Sequence, residues 1–241
     1  MSRDEIFRVE NIKEDFVFNE RVAEVFDDML DRSIPFYRHV IEMIARLLEK
    51  RLRQGDRVYD LGCSTGTTLL ELARRLESLQ LKFIGVDNSA AMIRKAVLKA
   101  EMYSRKEAIS FQEQDIMELE IEGAGAIILN YTLQFIRPLM REEFLRKINS
   151  FLRSGGILLV SEKIICGDPQ LNRDFIDFYH QYKRSRGYSE LEIAKKREAL
   201  ENVLVPFTIL ENRELLRSAG FSTVETFFQW FNYASFVAIK K

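Results

Sequence analysis

The sequence predicts an α/β protein whose central sheet is mostly parallel and ends in an antiparallel hairpin. From about residue 55, short apolar runs alternate with amphipathic helical patterns, a spacing typical of right-handed βαβ units. The end of the chain breaks this pattern, because only three residues separate the apolar runs 224–230 and 234–239. Such a short connection allows a hairpin but excludes a helical crossover. We therefore expect seven strands, the last two antiparallel.

Two helical patterns precede this core, in residues 16–53. We expect residues 1–54 to form a helical cover on a domain of residues 55–241, the two making one structural unit. The second pattern carries an apolar stripe at helical spacing, which consists of Tyr37, Val40, Ile41, Ile44, Leu47, Leu48 and Leu52.

The parallel strands are predicted from their apolar runs, at residues 58–61, 83–86, 109–112, 126–129 and 157–160. The fourth run lacks polar alternation, so we expect it at the centre of the sheet. The pair Gly155-Gly156 is expected to turn the chain into the fifth strand. A helix is predicted to begin at Ser89. The inward residues of the first two connecting helices are expected to be Leu69, Leu70, Leu72, Ala73 and Leu76, then Ala91, Met92, Ala96 and Val97.

Residues 164–206 interrupt the path from the fifth strand to the sixth. Connections in α/β domains usually run about 2–6 residues, so a helical insertion of this length indicates a lid or an interface. Its second helix is predicted to begin at a capping box formed by Ser189 and Glu192. Its first helix carries apolar residues at helical spacing: Leu171, Phe175, Phe178, Tyr179 and Tyr182.

Composition excludes several classes of protein. A formal net charge of -1 argues against a permanent nucleic-acid platform. No apolar run approaches the roughly 20 residues that span a bilayer, and the N-terminus lacks the apolar core of a signal peptide. We therefore expect a cytoplasmic protein that binds neither membrane nor nucleic acid. The cysteines and histidines lack metal-ligand spacing, so no metal site is predicted; they are Cys63, Cys166, His39 and His180.

Basic residues are concentrated in one part of the insertion. Glutamates lie among them, so we expect most of these residues on a solvated helical face. They are Lys183, Arg184, Arg186, Lys195, Lys196 and Arg197.

The first strand leads into a glycine loop, Asp60-Leu61-Gly62-Cys63-Ser64-Thr65-Gly66, and then into a helix. Glycines at this point let the backbone turn sharply and bring a ligand against the amides of the helix N-terminus. The dinucleotide fingerprint G-x-G-x-x-G fails, because it requires glycine at Ser64 and Thr67. The looser D-x-G-x-G-x-G loop of proteins that bind S-adenosyl-L-methionine (SAM) fits, with Ser64 at the middle glycine.

The same loop also matches G-x-S-x-G, the nucleophile elbow of α/β-hydrolases. In that alternative Ser64 is the nucleophile and His180 its base. The triad histidine should lie on a loop after the last strand, whereas His180 falls in a helical pattern before the final strands. A hydrolase would also leave Asp87 without a role, so we keep this interpretation as the minor one.

Polar side chains end three successive strands. Asp87 closes the second strand, Asp115 follows the third, and Asn130 ends the fourth. Open α/β sheets bind ligands at this edge, where an acid accepts hydrogen bonds from both ribose hydroxyls of an adenosine. Together with the terminal hairpin, these residues predict the Rossmann-like, seven-stranded fold of SAM-dependent methyltransferases, with SAM as the ligand.

Five stretches are more specific than the glycine loop: RVAEVF (21–26), VYDLGCS (58–64), NYTLQF (130–135), RGYSELE (186–192) and LENV (200–203). In this order they resemble the carboxy-S-adenosyl-L-methionine (carboxy-SAM) synthase family of bacterial tRNA wobble-uridine modification, over nearly the whole chain. Generic methyltransferases share only the second stretch, and loosely. The departures are Phe36, where the family often has glycine, and Phe227, where it often has tryptophan.

The resemblance implies that SAM and prephenate react to give carboxy-SAM and phenylpyruvate. A separate transferase then uses carboxy-SAM to place a carboxymethyl group on tRNA. The resemblance also implies a homodimer, and an arginine that holds the new carboxylate. Carried over by motif, the ligand contacts are Tyr37, Gly62, Cys63, Ser64, Asp87, Asn88, Asp115, Ile116, Asn130 and Arg197.

The resemblance identifies no catalytic base, because prephenate itself can supply the carbon dioxide and take the proton from the sulfonium methyl group. The protein would hold the two reactants together in a dry cavity, which is what a lid does. Two alternatives remain open from the residues. One is an ordinary SAM-dependent methyltransferase acting on a small molecule or tRNA, and the other is a SAM-binding protein without catalytic activity.

Overall fold

A seven-stranded sheet forms the centre of the computed structural model, which describes residues 3–8, 16–103 and 107–241. The strands are β1 (Arg57–Leu61), β2 (Lys82–Asp87), β3 (Ile109–Glu113), β4 (Ala124–Asn130), β5 (Leu152–Lys163), β6 (Thr223–Trp230) and β7 (Tyr233–Ile239). Their order in the sheet is β3-β2-β1-β4-β5-β7-β6. The first five strands are parallel, and β7 is antiparallel to both β5 and β6. The predicted fold is therefore confirmed.

Helices cover the sheet and the edge at which its parallel strands end. They are α1 (Glu20–Ser33), α2 (Tyr37–Arg51), α3 (Thr67–Arg75), α4 (Ala90–Met102), α5 (Pro138–Phe151), α6 (Pro169–Ser185), α7 (Glu190–Glu201) and α8 (Ile209–Ser218). Short 3-10 turns lie at Ile6–Arg8, Glu77–Leu79 and Leu133–Phe135. Among the described residues, no helix is both long enough and apolar enough to cross a membrane.

Alternate residues of the strands face two separate apolar cores. Val58 of β1 packs with the apolar stripe of α2 and with Leu69 and Leu72 of α3. Tyr59 of β1 faces the other core, which α5 and α8 close with Phe144, Ile148 and Leu216. The predicted stripe of α2 is thus a layer of the sheet, although Leu47 is only partly buried.

The boundaries of β5 and of the hairpin differ from prediction. β5 begins at Leu152 rather than after the glycine pair, because Gly155 and Gly156 lie within the strand as an irregularity. Gly155 has φ of 71°, and a Cβ at Gly156 would stand 2.8 Å from the Arg153 carbonyl oxygen. The hairpin turn is one residue shorter than expected, since Tyr233 already belongs to β7.

Helix α4 begins at the predicted residue, since the Ser89 hydroxyl accepts a hydrogen bond from the Met92 amide (3.3 Å). Met92 and Ala96 are buried as predicted. The inward placement of Val97 is wrong, because the buried stripe runs through Ala96 and Ala100 and leaves Val97 38% exposed.

The insertion contributes α6 and α7. The predicted capping box at Ser189 and Glu192 begins α7, and both of its hydrogen bonds are present. The aromatic stripe of α6 packs on the hairpin of β6 and β7: the Phe178 and Phe231 ring centroids are 4.7 Å apart, and those of Tyr179 and Tyr233 are 5.3 Å apart. Phe178 remains 40% exposed. The stripe is therefore only partly covered by its own chain.

Candidate functional site

A cavity of about 790 Å³ opens where the parallel strands end. Its floor includes Asp60 of β1, Asp87 of β2, Asn130 of β4 and Lys163 of β5. Helix α1 contributes apolar side chains to the wall, and α7 contributes Lys196 and Leu200. The cavity is therefore enclosed by the sheet edge, the N-terminal helices and the insertion.

Nine of the ten predicted site residues line this cavity. Arg197 does not: it lies on α7, next to the cavity-lining Lys196, and its side chain is exposed. The nine are Tyr37, Gly62, Cys63, Ser64, Asp87, Asn88, Asp115, Ile116 and Asn130.

The glycine loop leaves no room for larger residues. Gly62 has φ of 79°, in the left-handed region, and a Cβ there would lie 2.6 Å from the Thr132 side chain. Gly66 has φ of 73°, and a Cβ there would lie 2.9 Å from the Phe111 ring. Both positions require glycine, and this keeps the loop close to the cavity.

Asp87 fixes the loop from the neighbouring strand. Its Oδ2 accepts a hydrogen bond from the Ser64 amide and its Oδ1 accepts one from the Ser89 amide, both at 2.9 Å. A carboxylate oxygen can accept more than one hydrogen bond, so these two contacts leave acceptor capacity for a ligand. Burial raises the pKa of Asp87. The N-cap of α4 is Ser89 rather than Asp87, as expected.

Two buried oxygen atoms of the cavity floor have no hydrogen-bond partner within the described chain: Asp60 Oδ1 and Asn130 Oδ1. The amide nitrogen of Asn130 donates to Thr68 Oγ1 at 3.1 Å. Burial, with a smaller contribution from the Asp87 charge, raises the pKa of Asp60 to about 8. Buried acceptors without partners are rare in folded proteins, so they indicate a ligand that carries donors or positive charge. SAM carries both. We call Asp60, Asp87 and Asp115 the acidic end of the cavity.

Sequence reasoning missed a clamp on the glycine loop. Asp27 of α1 accepts hydrogen bonds from Thr65 Oγ1 (2.6 Å), Thr67 Oγ1 (2.8 Å) and Lys99 Nζ (2.8 Å). Burial alone would raise the pKa of Asp27, but Lys99 and the two hydroxyl groups hold it below its usual value. Asp27 directly follows the RVAEVF stretch. The sequence gives no sign that its partners lie 38, 40 and 72 residues further along the chain.

The opposite end of the cavity is basic and aromatic. We call Lys163, Tyr179, Lys196 and Tyr233 the basic end; all four line the cavity. Most basic residues of the insertion are not buried, as expected, and the exceptions are Lys183 and Lys196, which are only 4% and 8% exposed. Both lie on the sides of α6 and α7 that pack against the rest of the chain.

Burial and neighbouring positive charges lower the pKa values of three lysines in this region. Burial first, and then the charges of Lys196, Lys163 and Arg197, lower the pKa of Lys183 to about 7. Burial also lowers the pKa of Lys196 to about 8, against the attraction of Asp4. For Lys163 the causes of the lowered pKa are burial and then Arg197. The charge of Arg197 therefore acts on the cavity wall although its side chain does not line it.

The hydrolase interpretation receives no support from the cavity. Ser64 has φ of 48°, a left-handed conformation that would suit a nucleophile elbow. However, His180 lies on α6 and is not among the residues that line the cavity with Ser64. Ser64 instead donates its amide to Asp87 as part of the glycine loop.

Comparison with known proteins agrees with the geometry. The model of the methyltransferase domain family matches residues 58–156. A carboxy-S-adenosyl-L-methionine synthase from Desulfotalea psychrophila is 58% identical over 99% of this chain and 97% of its own length. The protein of the same name from Nautilia profundicola is 49% identical over 95% of this chain and 96% of its own length.

Solved structures show the same fold at lower identity. An O-methyltransferase family protein from Burkholderia thailandensis superposes with a TM-score of 0.69 and 18% identity. The match covers 92% of this chain and 60% of that protein. At this identity the likeness concerns the fold alone.

Proposed function

The chain belongs to the carboxy-S-adenosyl-L-methionine synthase family, and we propose that it converts SAM and prephenate to carboxy-SAM and phenylpyruvate. It is an enzyme that takes SAM as a substrate. The observation that carries the proposal is the division of one cavity into an acidic end and a basic, aromatic end. The acidic end suits the cationic nucleotide, and the basic end suits an anion with a six-membered ring.

The proposed SAM contacts are the ten residues carried over from the family. Asp87 accepts hydrogen bonds from the ribose hydroxyls and Asp115 holds the adenine amino group, as acids at these strand ends do in related sheets. The glycine loop brings its amides against the nucleotide. The partnerless oxygens of Asp60 and Asn130 support this placement, because both residues line the cavity and these buried atoms lack donors within the described chain.

The proposed reaction balances without a base from the protein. Prephenate loses its ring carboxylate as carbon dioxide and its ring hydroxyl as water, the water taking its second proton from the methyl group of SAM. The carbon dioxide joins the methyl carbon, and the aromatised ring leaves as phenylpyruvate. The protein then has to hold both reactants and exclude water, a role we propose for α1 and α7, whose side chains line the cavity.

Arg197 is the residue we propose to pair with the carboxylate of carboxy-SAM. A guanidinium group suits a carboxylate because it can form two parallel hydrogen bonds. Its charge already lowers the pKa of Lys163 on the cavity wall, which supports a place for it near the reacting groups.

The wider setting is also proposed. The product passes to a tRNA carboxymethyltransferase in the cytoplasm, and the enzyme itself is a homodimer. Residues 1–54 act as a helical cover on the SAM-binding domain of residues 55–241, with the insertion 164–206, as one structural unit. Residues 1–2 and 9–15 of that cover lie outside the described residues. Packing of α2 on the sheet supports the single unit.

The test follows a labelled carboxyl group. Prephenate carrying a heavy isotope in its ring carboxylate is incubated with SAM and the enzyme, and the nucleotides are weighed by mass spectrometry. We expect the label in carboxy-SAM and an equal amount of phenylpyruvate. Accumulation of S-adenosylhomocysteine with an added methyl acceptor, and no labelled nucleotide, would instead identify an ordinary methyltransferase.

A further inference from the structure

Two lysines of the cavity region lack a carboxylate partner. Lys163 ends β5 and lines the cavity, and Lys183 lies on α6 with 4% of its surface exposed. Within residues 3–8, 16–103 and 107–241, neither ammonium group forms an ion pair with an acid, and the charges that act on their pKa values are all positive. Unpaired cations are costly to bury, so their presence at a cavity indicates that an anion completes the site.

Both ammonium groups lie near one aromatic ring. Lys163 Nζ is 5.5 Å and Lys183 Nζ is 4.5 Å from the centroid of Tyr179. Tyr179 in turn packs on Tyr233, whose centroid is 6.0 Å from that of Tyr131. The cations therefore stand beside a wall of tyrosine rings. Such a wall stacks favourably on a flat, unsaturated ring.

The charges that affect the pKa of Lys183 are all positive. Asp4, whose Oδ2 lies 3.8 Å from Lys196 Nζ, forms no ion pair with Lys183 or Lys163 within the described residues. Among these groups, the charge of Asp177 affects only the pKa of His180, which it raises. The charges of Lys163, Lys196 and Arg197 lower the pKa of Lys183. The charge of Lys183 in turn lowers the pKa of His180.

We propose that Lys163 binds a carboxylate of the second substrate at the basic end, while Lys183, on the ring of Tyr179, is a positioning residue that becomes charged when that carboxylate binds. The substrate class is a ring-shaped anion that stacks on the tyrosine wall. This inference rests on the proposed function, because it uses prephenate as that anion. It adds a binding residue to the ten carried over by motif, none of which is Lys163.

Carboxy-SAM also carries a carboxylate, so it is a second candidate ligand for Lys163. Lys163 is assigned to the second substrate because it lies with Tyr179 and Tyr233, whose rings match a ring and not a short carboxymethyl group. Separate titrations with prephenate and with carboxy-SAM distinguish the two sources.

The experiment is isothermal titration calorimetry on protein saturated with S-adenosylhomocysteine. Prephenate and phenylpyruvate are titrated into the wild type and into Lys163→Met and Lys183→Met. In a parallel series, carboxy-SAM is titrated into the same proteins without S-adenosylhomocysteine. The matched control is Lys82→Met, an exposed lysine at the other end of β2 from the cavity. We expect Lys163→Met to weaken prephenate binding about 10- to 100-fold, as for a lost charged hydrogen bond. S-adenosylhomocysteine binding and the control should not change.

Lys183→Met has a readout of its own. Because the folded protein releases the Lys183 proton near neutral pH, a carboxylate that binds beside it at pH 8 should draw a proton back. Proton uptake, measured as the dependence of the binding heat on the buffer, should fall in Lys183→Met. The melting temperature of this variant should stay the same or rise, because methionine removes an unpaired buried charge.

The outcomes separate this inference from the proposed function. Prephenate bound through Lys163 without formation of carboxy-SAM would refute the proposed reaction and support the site. Turnover of prephenate with an unchanged KM in Lys163→Met would refute the site and leave the reaction standing. The inference is also overturned if the wild type binds neither carboxylate, or if Lys163→Met weakens carboxy-SAM but not prephenate.

Discussion

The acidic end and the basic end of the cavity are built in different ways. The groups of the acidic end follow successive strands and are held by backbone amides, as the Ser64 and Ser89 amides hold Asp87. The basic end collects residues from β5, β7 and both helices of the insertion. The sheet itself supplies the first arrangement, which depends only on the parallel strands. The second depends on how the insertion packs, and it is the part that distinguishes this cavity from a general nucleotide site.

The two ends also differ in the direction in which the pKa values of their buried groups are shifted. At the acidic end the pKa of Asp60 is raised to about 8, so its carboxyl group is largely neutral at pH 7 in the ligand-free protein. Beside the basic end, the pKa of Lys183, which does not line the cavity, is lowered to about 7. Each end thus holds or adjoins a group whose charged form lacks a partner. A cation at one end and an anion at the other would restore both charges.

The largest expected effect comes from breaking the clamp at the acidic end. Asp27→Ala leaves Lys99 buried without its partner, which typically costs about 3–5 kcal/mol of the free energy of unfolding. Urea denaturation measures this loss. Asp31→Ala on the same helix is the control, because its pair with Arg38 is largely exposed and should contribute at most about 1 kcal/mol. Equal losses in the two variants would contradict the role of the clamp.

The next effect concerns Asp87 and ligand binding. Asp87→Ala should weaken S-adenosylhomocysteine binding by about 2–4 kcal/mol, because charged hydrogen bonds to the ligand and to Ser64 are lost together. Asp87→Asn keeps one acceptor oxygen and should lose less. Calorimetry gives both values, with the exposed Asp174→Ala as control. Unchanged affinity in Asp87→Ala would refute the nucleotide site at the acidic end.

The next prediction concerns Arg197, which we propose to pair with the carboxylate of carboxy-SAM. Arg197→Ala should weaken carboxy-SAM binding about tenfold and leave S-adenosylhomocysteine binding unchanged, because only the former carries the extra carboxylate. The control is Arg184→Ala, whose pair with Glu190 is exposed. If both ligands lose affinity equally, Arg197 has a structural role instead.

The pH dependence of stability should have opposite signs at the two ends. Asp60 has a folded pKa of about 8 above an ordinary value of 3.8, so its contribution to stability is full below pH 3.8 and is lost as the pH rises to about 8. Lys183 has a folded pKa of about 7 below 10.5, so its contribution is full above pH 10.5 and is lost as the pH falls to about 7. Each slope is at most about 1.4 kcal/mol per pH unit.

Variants separate these two slopes. Urea denaturation of the ligand-free protein across this pH range should show a smaller fall toward pH 8 in Asp60→Asn. It should show a smaller rise above pH 7 in Lys183→Met, with the remaining rise due to Lys196, whose pKa is also lowered. If the variants show the same dependence of stability on pH as the wild type, Asp60 and Lys183 do not have the shifted pKa values given above.

The smallest effect is expected for the surface beside the basic end. Light scattering at micromolar concentration should show a homodimer, in which the exposed parts of α6 contribute to the contact. Leu171→Glu and Phe178→Glu should weaken the dimer, because both side chains are at least 40% exposed on that helix. A monomer at all concentrations would contradict the proposed assembly.

The sequence predicted the acidic end better than the basic end, for a physical reason. Asp87, Asp115 and Asn130 each follow an apolar strand, and parallel strands end at one edge, so their meeting follows from local patterns. Lys163 also ends a strand, but a lone lysine gives no sign of whether it meets solvent or a cavity. Most basic residues of the insertion were expected on a solvated face because glutamates lie among them, and nothing in the sequence set Lys183 and Lys196 apart. Only the packing of α6 and α7 shows that both are buried.

The central claim, that the cavity makes carboxy-SAM, is tested most directly by the nucleotide that copurifies with the protein. The bound nucleotide is released by denaturation and its exact mass is measured. We expect a molecule heavier than SAM by one carbon dioxide unit, which shifts to the corresponding heavy form when the cells receive labelled prephenate precursors. S-adenosylhomocysteine alone, with no carboxylated nucleotide in any preparation, would contradict the account.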